Sequence, residues 1–149
     1  MAHLQQIYRT SLALLTDLYQ LTMAQGYWKL GLAEREAVFH LTFRENPFGG
    51  GFAVAAGLES AVDYLNGLHF DQEDLEFLSS LKGNDGAPLF ETGFINDLRD
   101  FDFRCDVDAI PEGTVVFPHE PLVRVRGPLL QAQLVETALL TMINFSTLI

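Results

Sequence analysis

Few side chains in this sequence join a chemically useful type to a position that could present it. Tyr19 falls one turn inside a helical pattern. It offers an aromatic face on which a flat ring could stack, with little rotamer freedom to lose; by pattern alone it reads rather as an interfacial aromatic whose hydroxyl reaches water. Arg44 ends a strand pattern on its polar face, directly before a glycine loop. Its planar fork can hold phosphate oxygens bidentately, and a chain poor in cations must concentrate them wherever an anion is gripped. The plain alternative is an ordinary exposed arginine. Gly49, Gly50 and Gly51 follow; they let the backbone adopt positive φ and bring N–H groups against a ligand, although turn geometry alone also explains such a run.

The other reactive types are scattered. His3 in the tail, His40 on a strand, His69 at a helix end and His119 in a turn between prolines read as structural or surface residues. Four dispersed histidines and one cysteine lack the ligand spacing of a zinc site, so no metal site is assigned. Cys105 precedes Asp106 and Asp108 and is read as lacking a basic partner that would lower its pKa, which argues against a nucleophile. A lone cysteine forms no internal disulfide, and the N-terminus MAHLQQIYRTS has no secretory pattern, so the expected compartment is the cytosol. Nine Lys and Arg against 20 Asp and Glu give a net charge of −11. That balance opposes counterion release and argues against nucleic acid or an anionic membrane as partner.

The elements that must position these residues follow from periodicity. With 149 residues, 48% of them hydrophobic and 12 of them Phe, the chain can bury roughly one domain's core and is no disordered tail. A first helix runs from about Thr16 to Leu30 and stops at Gly31. Asp17 and Gln20 have the spacing of a capping box, so Asp17 reads as an N-cap rather than a catalyst. From Glu36 the period switches to two: Ala37, Phe39, Leu41 and Phe43 share one face, Val38, His40, Thr42 and Arg44 the other. A second extended run covers Phe52 to Ala55.

Helical spacing then covers Gly57 to Gly67 and Gln72 to Leu81, and a third short helix carries Phe90, Phe94, Ile95 and Leu98 with Pro88 near its start. Between Asp71 and Glu112 lie 12 of the 20 acids, which reads as a solvated face. Phe103 to Ala109, Thr114 to Phe117 and Leu122 to Arg126 look like an antiparallel meander. Pro128 opens a long apolar helix whose only charge is Glu136; its polar residues are too many for a membrane span. The fold class is therefore α+β, a mixed or antiparallel sheet with flanking helices. Residues 1–127 form the domain and 128–149 a helix leading out of it.

Three groups of words carry a resemblance: Leu15-Thr16-Asp17-Leu18-Tyr19-Gln20-Leu21-Thr22-Met23; Phe43-Arg44-Glu45-Asn46-Pro47-Phe48-Gly49-Gly50; and Glu112-Gly113-Thr114-Val115-Val116-Phe117-Pro118 with Glu120-Pro121-Leu122, Gly127-Pro128-Leu129 and Glu136-Thr137. In order and type they resemble the nicotinate phosphoribosyltransferase family, from about Leu14 to Ile149, or about the first third of such an enzyme.

The resemblance implies the N-terminal α+β domain of a type II phosphoribosyltransferase, leading by the long helix into an α/β barrel that this sequence lacks. Such enzymes join nicotinate to phosphoribosyl pyrophosphate in NAD salvage, giving nicotinate mononucleotide and pyrophosphate. ATP hydrolysis is coupled through a phosphohistidine, and magnesium accompanies the pyrophosphate. By the same resemblance Tyr19 stacks on the pyridine from the neighbouring subunit of a homodimer, and Arg44 reaches phosphates across that interface. None of the four histidines lies in the phosphohistidine motif. The segment by itself is accordingly expected to be inactive and to bind neither ATP nor magnesium. The rival expectation is a free-standing, non-catalytic domain that dimerises or binds a partner through the long helix.

Overall fold

The computed structural model describes residues 11–149, so His3 lies outside the described residues. Helix α1, Leu18–Lys29, starts where the sequence suggests and closes at Leu30, whose N–H bonds to the Gly26 carbonyl, with Gly31 in the left-handed region at φ 68°. Its expected capping box is absent. Asp17 has the extended backbone of an N-cap, but its carboxylate caps no N–H; it accepts from Thr137 Oγ1 at 3.0 Å. Gln20 is turned inward and fully buried, drawn away from the helix end by partners across the fold.

Strand β1, Glu36–Leu41, pairs antiparallel with β5, Val123–Pro128, opposing Phe39 to Val125 and His40 to Arg124. On its other edge β5 takes β3, Asp106–Ala109, giving the order β1-β5-β3. β2, Ala53–Val54, and β4, Val115–Val116, form a separate antiparallel pair. The three later runs are thus not a meander. β4 leaves its sequence neighbours because Ala55 exchanges backbone bonds with Thr114 and Gly113, while β5 fills the gap between β1 and β3.

Helices α2, Leu58–Gly67, α3, Gln72–Ser80, and α4, Thr92–Arg99, follow their apolar spacing. Pro88 is not at the start of α4; it bridges to Lys82 in an extended turn. Asp71 makes a true capping box with Asp74, and the N–H bond from Asp74 holds the Asp71 carboxyl below the usual carboxylate range. The N-terminus of α2 is capped from a distance: Glu112 Oε1 accepts from Leu58 N at 2.6 Å and Glu59 N at 3.4 Å. Glu112→Ala is expected to cost about 1 kcal/mol in chemical denaturation, as for other lost caps; an unchanged midpoint would show that water replaces the carboxylate without loss.

The single long helix expected after Gly127 is two helices, α5, Leu129–Leu134, and α6, Glu136–Leu148, broken at Val135. Pro128 is both the last residue of β5 and the N-cap of α5. The break lets the segment serve two apolar clusters. Ala132, Val135, Ala138, Leu139 and Ile143 pack with Leu41, Phe43, Val123 and Val125 of the sheet and Ala61, Tyr64 and Leu65 of α2. Leu134 joins Leu21 and Ala24 of α1 with Leu75, Leu78, Phe94 and Leu98 of α3 and α4. Residues 128–149 therefore pack within this fold, leaving Phe145 of α6 and Ile149 just after it as large exposed side chains. Among the described residues no helix is long and apolar enough to cross a membrane.

Candidate functional site

Where β1 runs on past Leu41, the alternation persists: Phe43 is buried at 2% exposure and Arg44 beside it is exposed. This stretch, Phe39 to Glu45, forms one wall of a groove of about 760 Å³. The facing wall is Ala132, Val135, Glu136, Leu139, Leu140, Asn144 and Leu148, with Val125 between them. A concave apolar surface edged by a few charged groups is the usual form of a small-molecule site. Arg44 is the cation on that edge.

Arg44 has no side-chain hydrogen-bond or ion-pair partner among the described residues, a condition it shares with Arg35 and Lys82, while four other cations are held in ion pairs. Arg124 pairs with Asp108 at 2.7 Å, Arg126 with Asp106 at 3.0 Å, Arg104 with Glu34 at 3.0 Å, and Lys29 with Glu91. An unpaired guanidinium beside an apolar groove keeps its fork available to an anion.

Tyr19 is half exposed, and its hydroxyl accepts from Gln20 Nε2 at 2.7 Å. The same amide nitrogen donates to Glu136 Oε2 at 2.6 Å. Gln133 Nε2 donates to Gln20 Oε1 and, at 3.4 Å, to Glu136 Oε2. Tyr19 does not line the groove itself; Gln20 ties it to Glu136, which does. Desolvation, then the charges of Glu136 and Asp17, raise the Tyr19 phenol above its ordinary pKa.

The glycine loop lies to one side. Pro47–Gly49 form a 3₁₀ turn, and of the three glycines only Gly49 takes positive φ, at 66°. The other left-handed residue is Phe48, φ 56°, whose ring is 89% exposed. Gly49, Gly50 and Gly51 are absent from the groove lining, which stops at Glu45. His40 lines the groove; His69 donates from Nδ1 to the Gly67 carbonyl at 2.6 Å; His119 turns the chain at φ 70°. Cys105 does have a basic neighbour, since Arg104 lowers its pKa. Burial outweighs that and pushes the thiol up to about 11, so it is a poor nucleophile.

Sequence reasoning missed Gln20, Gln133 and Glu136 as a unit. The available signal was Glu136 as the one charge after Arg126. Its partner stands 116 positions away, and no local spacing announces such a pairing.

A family model described as the nicotinate phosphoribosyltransferase N-terminal domain matches residues 14–144. The chain belongs to this family. It is 47% identical over 137 residues to nicotinate phosphoribosyltransferase of Bos taurus, covering 91% of this chain and 25% of the relative. It is 45% identical over 139 residues to that of Bacillus subtilis (strain 168), covering 93% and 27%. The crystal structure of human nicotinic acid phosphoribosyltransferase superposes with a TM-score of 0.80 at 46% identity, over 91% of this chain and 26% of that one. That of nicotinate-nucleotide pyrophosphorylase from Pyrococcus furiosus has a TM-score of 0.54 at 20% identity, over 96% and 27%, and shares the fold. The chain spans about a quarter of the length of the curated relatives it matches. Tyr19, Arg44 and Glu136 all fall inside the nicotinate phosphoribosyltransferase match.

Proposed function

We propose that this chain is the N-terminal portion of a nicotinate phosphoribosyltransferase and supplies one wall of its site. The observation that carries this reading, given the family, is Arg44, without a partner among the described residues, on the rim of an apolar groove. The parent enzyme joins nicotinate to phosphoribosyl pyrophosphate, releasing pyrophosphate and nicotinate mononucleotide in NAD salvage. Here Tyr19 offers its face to the pyridine and Arg44 its fork to the phosphates. The reaction needs ring, anomeric carbon and pyrophosphate held together, because positioning supplies much of the rate. One aromatic and one cation do not assemble that, so these 149 residues alone form no nicotinate mononucleotide.

The reading extends to a homodimer that shares the site between subunits, in the cytosol. ATP and magnesium belong to the parent reaction. Among the described residues no three His, Cys, Asp or Glu side chains converge on a point that could hold a metal ion.

Tyr19→Ala in the full-length protein is expected to raise the nicotinate KM about tenfold, the loss of roughly 1–1.5 kcal/mol of ring contact. Steady-state kinetics with intact circular dichroism checks it. An unchanged KM would remove Tyr19 from the pyridine site.

A further inference from the structure

We infer that Gln20, Gln133 and Glu136 form a polarity relay that makes the Tyr19 phenol a directed hydrogen-bond donor to an oxygen of the bound ligand. The inference rests on the reading above, in which that ligand is a pyridine carboxylate.

The direction of the relay follows from counting donors and acceptors. As a carboxylate, Glu136 only accepts, so Gln20 must turn its NH₂ group toward it. With the amide reversed, its oxygen would face the carboxylate oxygen. Gln20 has two N–H protons: one goes to Glu136 and the other to the Tyr19 oxygen. Its own oxygen is taken by Gln133, which fixes the orientation from the far side. Gln20 and Gln133 are buried, which keeps water from replacing the bond between their two amides. The Tyr19 oxygen is thus an acceptor inside the fold, and its proton has no acceptor among the described residues.

Tyr19 is half exposed, and Gln20 links its hydroxyl oxygen to Glu136, which borders the groove. Desolvation and the charges of Glu136 and Asp17 raise the phenol pKa and so favour the protonated, donating form. Adhesion of α1 to α5 would need only apolar side chains. Burying two glutamines against a carboxylate is a costly way to obtain it. A stacking wall alone makes no use of the hydroxyl. The relay does, and it turns Glu136, Gln20 and Gln133 into positioning residues that act through Tyr19.

The test compares nicotinate with pyridine, which keeps the flat ring and has no oxygen, by calorimetric binding to the full-length protein. Tyr19→Phe, which keeps the ring, is expected to weaken nicotinate about tenfold and leave pyridine unchanged. Glu136→Gln, nearly isosteric, should give the same selective loss because the amide can now turn either way. The double variant should bind nicotinate no more weakly than Tyr19→Phe alone. Equal loss for both ligands in Glu136→Gln, or losses that multiply in the double variant, would overturn the relay. Undiminished nicotinate binding by Tyr19→Phe would overturn the donor, and that variant alone decides it if Glu136→Gln fails to fold. No binding of nicotinate by the unaltered protein would instead overturn the functional reading on which the ligand rests.

Discussion

Arg44→Ala in the full-length protein is expected to weaken phosphoribosyl pyrophosphate binding by roughly 100-fold, with nicotinate binding nearly unchanged. The size follows from the kind of contact. A guanidinium that spends no hydrogen bond on its own fold loses nothing intramolecular when it engages a phosphate, and a charge-assisted pair is among the stronger contacts a surface can make. Arg44→Lys should recover only part of the loss, because an ammonium keeps the charge and gives up the bidentate geometry. The side chain is exposed and has no partner among the described residues, so neither change removes a contact that holds that part of the fold. Equal weakening of both ligands would remove Arg44 from the phosphate site, as would unchanged phosphoribosyl pyrophosphate binding in Arg44→Ala.

What periodicity could read was what neighbours in sequence decide. The alternation from Ala37 to Arg44 depends only on the strand's two faces, and it placed Phe43 in the core and Arg44 outside it. Gly31 ended α1 because the left-handed turn there is local. The misreadings share the opposite property. Gln20 spaced from Asp17 satisfies the capping-box pattern, yet its amide is claimed by Gln133 and Glu136, more than 110 residues on. The meander was the economical pairing of three nearby strands, but β4 found β2 and β5 found β1, both far upstream. The break at Val135 has no Gly or Pro to mark it; it is set by two clusters that the segment must serve at once. In the site, Tyr19 and Arg44 were visible as residue types in family words. The buried polar chain that orients one of them was not, since its members are ordinary helix residues until α1 and α5 meet.

The same α6 that carries Glu136 and the groove wall is held in place at its far end by a glycine, and replacing that glycine should have the largest effect on stability. Gly57 precedes α2 at φ 91°, and a Cβ there would lie 2.4 Å from the Met142 carbonyl oxygen and 3.0 Å from Ser146 Cβ. Below, Thr147 Oγ1 bonds to both the N–H and the carbonyl of Ala56 at 3.2 Å, so the two segments cannot simply part. Gly57→Ala must therefore pay left-handed strain of about 1–2 kcal/mol and an overpacking cost of about 1–3 kcal/mol, about 2–5 kcal/mol together. Two controls separate these. Gly86 has φ 78° and open space around it, so Gly86→Ala carries the strain alone; Gly51 has neither a positive φ nor a close neighbour, so Gly51→Ala should stay within about 0.5 kcal/mol of the parent. Urea denaturation of the three variants, compared at constant m-value, measures the series. If Gly57→Ala cost no more than Gly86→Ala, α6 would have to slide to admit the methyl group. A helix that slides that easily could not hold Glu136 in register with Gln20, and the groove wall it forms with Leu140 and Asn144 would be equally free to move.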